Sequence, residues 1–178
     1  MRTKERDEQF RSFYAAEADS IHRLALFMTG DYDRSADLAQ EALLRAYRAW
    51  ARIREEDPGP YVRKTLVNLV RNDYRKRMTE WRHREEPPPP FEDPGPRVDE
   101  ALRVAEVLKA LSPIRRAVVV LRFYEDLPEA EIARILDRPI GTIKSDLHRA
   151  LKKLRPMLHD NPSSRDLHAQ HRRRTDES

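Results

Sequence analysis

Cysteine is absent from this chain of 178 residues, which excludes a disulfide framework, a thiolate metal site and a cysteine nucleophile. No apolar run approaches the roughly 18 residues needed to span a bilayer, so no membrane insertion is expected. The opening MRTKERDEQF has no apolar core and does not read as a signal peptide, so a cytoplasmic protein is expected. Glycine occurs only four times and forms no Gly-rich phosphate loop. The six histidines are scattered, and no nucleophile motif appears. The chain is therefore expected to be neither an enzyme nor the holder of a cofactor or metal.

Charge is what the chain has in abundance. The formal balance is only +4, but the pI near 9.5 and the local clustering of arginine favour a polyanionic partner.

The most informative stretch is LPEAEIARILDRPIGTIKSDLHRAL, residues 127–151. It predicts two short helices and a tight turn. Pro128 suits a first helical position, and Ile132, Ala133 and Leu136 form an apolar stripe. Asp137-Arg138-Pro139 breaks that helix. A second one places Ile140, Ile143, Leu147, Ala150, Leu151 and Leu154 on its packing side. Its other face carries Thr142, Lys144, Ser145, His148, Arg149, Lys152 and Lys153. Such a helix can lie in a major groove. Periodicity alone is equally compatible with an amphipathic hairpin whose lysine face is merely solvated.

The first block, residues 5–77, reads as helical throughout. Phe10, Phe13, Tyr14, Ile21, Leu24 and Met28 recur at helical spacing, and Gly30 is placed to end that helix. Asp31 or Asp33 can cap a second helix over about 34–50. A loop follows at 55–60, then a basic third helix from about Tyr61 to Arg77, buried along Val62, Leu66, Leu69 and Val70. Cations interleaved there with Asn68, Asn72, Tyr74 and Trp81 suit strand-separated DNA, although Tyr74 and Trp81 read equally as core. In the second helix, Asp33, Asp37 and Glu41 could be lined up as metal ligands. No histidine falls nearby to complete such a site, so no metal is expected.

Pro87 to Pro96 cannot continue a helix and should be a flexible joint. Beyond it, Val98, Leu102, Ala105, Leu108 and Leu111 mark a helix, and Ser112-Pro113 caps and starts the next. The expected fold is all-α, two small helical domains joined by a Pro-rich linker, the second a helix-turn-helix. The boundaries are 5–80, a linker over 81–97, 98–159, and a disordered tail over 160–178.

Three segments in order resemble one family. PIGTIKSDLHRALKKLR resembles the recognition helix of sigma-70-type initiation factors, and LPEAEIARIL the helix before it. DLAQEALLRAYRAW resembles the segment that sigma factors set against the clamp helices of the largest RNA polymerase subunit. The order of parts resembles the extracytoplasmic-function subgroup, which keeps only sigma domains 2 and 4. That resemblance implies a subunit that binds core RNA polymerase and promoter DNA, with an anti-sigma factor as a further partner. It implies minus-35 contacts by Thr142, Lys144, Ser145, His148 and Arg149. It assigns minus-ten contacts to Tyr61, Arg63, Lys64, Asn68 and Arg71, and polymerase docking to Asp37, Leu38, Gln40, Glu41 and Leu44. Three positions depart from the family pattern. Tyr61 stands for a usual tryptophan, Asp137 for the glycine of the turn, and Asp146 for an arginine that would contact phosphate. Aspartate tolerates a left-handed backbone, so the turn is expected to survive. A stand-alone helix-turn-helix regulator is the alternative.

Overall fold

The computed structural model describes residues 3–81 and 96–159. These form seven α-helices, and among the described residues there is no strand. The segments expected as a flexible linker over 81–97 and as a tail over 160–178 lie, but for their edges, outside the described residues.

The first helix, α1, spans Thr3–Thr29. It ends at Gly30, whose φ of +66° closes the chain in the left-handed region while its N–H donates to the Leu26 carbonyl at 2.8 Å. A Cβ at Gly30 would meet only the movable end of the Lys109 side chain, so it is the left-handed turn that favours glycine. Asp31 caps the second helix, α2 (Tyr32–Ile53), its Oδ1 accepting from the Arg34 N–H at 3.0 Å.

The third helix, α3, spans Pro58–Trp81 and begins earlier than expected. Pro58 and Pro60 occupy its first turn, where a missing N–H leaves nothing unsatisfied, so the expected loop at 55–60 shrinks. Asp57 closes the entry by accepting from the Gly59 N–H at 3.0 Å.

Helices α1 and α2 close on a stripe of small residues, Ala39, Ala42 and Ala46, which lets Ile21, Leu24 and Met28 bury completely or nearly so. At the far end Trp50 meets Phe10 edge-on, ring centres 5.2 Å apart at 87°, and Phe13 at the same distance. Val62, Leu66 and Val70 of α3 complete this core, as their spacing predicts.

The second half contains α4 (Pro96–Leu108), α5 (Pro113–Phe123), α6 (Glu129–Leu136) and α7 (Ile140–His159). Ser112 does hold the cap position of α5, but its hydroxyl makes no capping bond. Pro128 is the cap of α6 rather than its first residue. Its ψ of 150° is extended, while its carbonyl already accepts from the Glu131 and Ile132 N–H groups. Asp137 ends α6 at φ 54°, ψ 55°, the left-handed conformation anticipated for it. Ile140 and Leu151, expected on the packing side of α7, are 46% and 39% exposed. They flank a narrower buried stripe of Ile143, Ala150 and Leu154.

The two halves pack on each other, α1 against α4 and α5, α3 against α5 and α6. Buried side chains of both belong to one continuous cluster. Phe27 of α1 meets Tyr124 edge-on at 4.9 Å. Arg116 of α5 is buried and donates through Nη1 to the Met28 carbonyl at the end of α1, and through Nη2 to the Leu111 carbonyl. It thus satisfies a carbonyl that the helix terminus leaves open, where the helix dipole also favours a cation. Burial lowers the Arg116 pKa from its ordinary value, while the charge interactions with Tyr74 and Glu106 raise it.

Candidate nucleic-acid interface

Helix α7 presents an exposed polar face. Lys144, Ser145, His148 and Arg149 are exposed and Thr142 half-buried at its edge, so the structure brings all five sequence-assigned residues onto one arc of the helix. The Ser145 hydroxyl donates to the Gly141 carbonyl at 2.9 Å, which orients its oxygen as an acceptor toward solvent. Lys144 lies 4.0 Å from Glu129, a loose pairing that leaves its ammonium available.

Asp146 is on the other side of that helix and is only 7% exposed. Its Oδ1 accepts from Arg115 Nε of α5 and its Oδ2 from Arg138 Nη1 of the turn, each at 3.1 Å. The residue that looked out of place in a DNA-reading helix is an internal clasp. It ties α7 to the turn before it and to the helix under it. It also holds two half-buried arginines beside the outward face. Neither arginine stood out in the sequence. The signal available was the departure at Asp146, which a missing phosphate contact does not explain but two arginine partners do.

On α3, Tyr61, Lys64, Asn68 and Arg71 recur at three- and four-residue spacing on one face, with Lys64 and Asn68 exposed. Tyr61 is half-buried, its ring under the Arg52 guanidinium at 5.9 Å. Arg63 does not join them. It lies on the stripe of Val62, Leu66 and Val70, its side chain 14% exposed. There its Nε donates to Glu125 Oε2 at 2.6 Å and its Nη2 to Glu17 Oε2 at 3.1 Å. Further along, Arg34 of α2 pairs with Asp73 at 2.7 Å, fixing α2 to α3.

On α2, Asp37, Gln40, Glu41 and Leu44 share one outward face, and Glu41 is held by Arg45 at 2.7 Å. Leu38 stands at the edge of that face and packs on the core. Gln40 and Leu44 line a groove of about 670 Å³ between α1 and α2, whose walls include Phe10, Tyr14 and Tyr47. Leu44 is 39% and Tyr14 49% exposed, so the groove offers apolar surface, with Asp19 the one carboxylate in its lining.

Comparison with known proteins gives a consistent result. Residues 13–80 match the family Sigma-70 region 2, and residues 101–154 match Sigma-70, region 4. The chain is 34% identical over 152 residues to the RNA polymerase sigma-E factor of Streptomyces coelicolor, covering 84% of this chain and 86% of that protein. It is 31% identical over 159 residues to the ECF RNA polymerase sigma factor SigL of Mycobacterium tuberculosis, covering 84% and 89%. Among solved structures, the fold resembles that of the sigma factor RpoE of Bartonella quintana, crystallised with the anti-sigma factor NepR. The TM-score is 0.65 at 22% identity, covering 85% of this chain and 98% of that one.

Proposed function

Because the chain belongs to the extracytoplasmic-function subgroup of the sigma-70 family, and so is an alternative sigma factor that directs transcription by RNA polymerase, we propose the following division of labour among its helices. The α7 face of Thr142, Lys144, Ser145, His148 and Arg149 reads the minus-35 element in the major groove. The α3 face of Tyr61, Lys64, Asn68 and Arg71 takes the minus-ten element as its strands part, with cations on phosphate and the ring against bases. The α2 face of Asp37, Gln40, Glu41 and Leu44, with Leu38 beneath it, docks on the polymerase clamp. Residues 5–80 and 98–159 act as the two sigma domains.

The single observation that carries this reading is that three outward faces of two contrasting chemistries lie on three separate helices. Two are basic and hydrogen-bonding, and one is acidic and apolar. The mechanism is binding and strand capture, carried out in the cytoplasm with no covalent chemistry by this chain. The complex of the Bartonella quintana protein with NepR supports an anti-sigma partner here as well.

Run-off transcription with purified core RNA polymerase on genomic promoter fragments tests the proposal. Transcripts from a defined subset of fragments, absent without the protein, are the expected result. Sequence-specific promoter binding that needs no polymerase, with no new transcripts, would instead make the chain a stand-alone helix-turn-helix regulator.

A further inference from the structure

Asp146 gathers two arginines from different elements onto one carboxylate. Arg115 reaches it from the first turn of α5 and Arg138 from the turn before α7. The Asp146 side chain is 9% exposed, whereas those of Arg115 and Arg138 are 35% and 34% exposed. Each guanidinium spends one N–H on the clasp and carries several more. Helix stability does not account for Arg115. The first turn of α5 holds no acidic residue, and the helix dipole disfavours a cation there. The carboxylate of another helix is what keeps two like charges side by side.

The position of the clasp on α7 gives it a direction. Asp146 stands one turn from Thr142 and one turn from Arg149, both on the outward arc. The two arginines therefore border that arc along its Thr142–Arg149 edge. A helix with its side chains is about 10–12 Å across, and the major groove is about 12 Å wide. A helix that fills the groove has its edges against the phosphate strands, and guanidinium is the cation best shaped for phosphate.

Resting on the assignment of α7 to the minus-35 element, we infer that Arg115 and Arg138 bind backbone phosphates along the Thr142–Arg149 edge of α7, and that Asp146 positions them. Two guanidinium groups and one carboxylate leave a single net positive charge, the same as the arginine usual at position 146. The phosphate contact is thus moved to two neighbouring side chains rather than lost. Holding both in place before DNA arrives lowers the cost of ordering them on binding.

The test is the salt dependence of duplex binding by core polymerase saturated with the full chain. The probes are a promoter fragment recovered from run-off transcription and the same fragment with its minus-35 element scrambled. Between about 50 and 200 mM salt, Arg115→Ala with Arg138→Ala is expected to lose about tenfold less affinity than the parent, because two fewer phosphates release their counterions. The change should be equal on both fragments, since phosphate contacts carry no sequence. A pair that is only structural would lower stability in urea and leave the salt slope at its parent value, and that result overturns the inference. Asp146→Asn separates positioning from charge. It removes a negative charge beside the DNA, so charge alone would tighten binding. Positioning predicts weaker binding to both fragments, because the amide turns a donor toward one guanidinium. Tighter binding overturns the role of Asp146. A parent that binds both fragments equally overturns the minus-35 assignment, and a reduced salt slope in the arginine pair variant would then still assign the phosphate contacts.

Discussion

The two candidate DNA-binding helices each turn one charge inward, and the charges are of opposite sign. On α7 it is Asp146, enclosed by Arg115 and Arg138 of its own half. On α3 it is Arg63, enclosed by Glu17 of its own half and Glu125 of the other. A buried charge kept within one unit serves that unit alone. A charge shared between units ties one to the other. The first fastens a helix within one half, and the second fastens one half to the other.

Substitutions sharpen that contrast. The largest effect is expected at Asp146. Replacing it with alanine leaves two arginines without their acceptor and should cost about 2–3 kcal/mol, measured by urea unfolding. Asp146→Arg, which installs the residue usual in the family, should cost at least as much, because a third cation then joins Arg115 and Arg138. Stability equal to the parent in either variant would remove the clasp.

Next comes the outward face of the same helix. Arg149→Ala should leave unfolding unchanged and weaken binding of polymerase-bound protein to its promoter by about 1–3 kcal/mol, with little change on scrambled DNA. Equal losses on both sequences would reduce Arg149 to a phosphate contact.

The smallest effects compare the caps of the two halves. Asp31→Ala should cost about 1 kcal/mol, since its carboxylate makes the bond that opens α2. Ser112→Ala should cost less than about 0.5 kcal/mol, since its hydroxyl makes no such bond. Paired thermal unfolding of the two variants checks the difference.

Much of the fold was legible because it is local. The Gly30 stop, the Asp31 cap and the left-handed Asp137 each follow from one or two side chains and the backbone beside them. So do the faces of α7 and α2, which periodicity alone arranges. Arg63 was half legible. Its spacing from Val62, Leu66 and Val70 places it on the inward stripe, but its partner Glu125 is 62 positions away, and no pattern in sequence joins them. Asp146 was visible as an oddity and unreadable as a clasp, because Arg115 lies 31 positions upstream on another helix. The early start of α3 and the shift of Pro128 have a common cause. Prolines fit a cap and a first turn almost equally well, and only the carbonyl bonds decide between them.

The buried guanidinium of Arg116 carries a consequence for the making of the molecule. It closes the end of α1 from 88 positions further along the chain. Ribosomes add roughly 5–20 residues per second. The first half therefore emerges with the Met28 carbonyl unanswered and waits from about 4 to 18 seconds for the residue that completes it. During that interval the outward face of α2 already exists, while the second half does not.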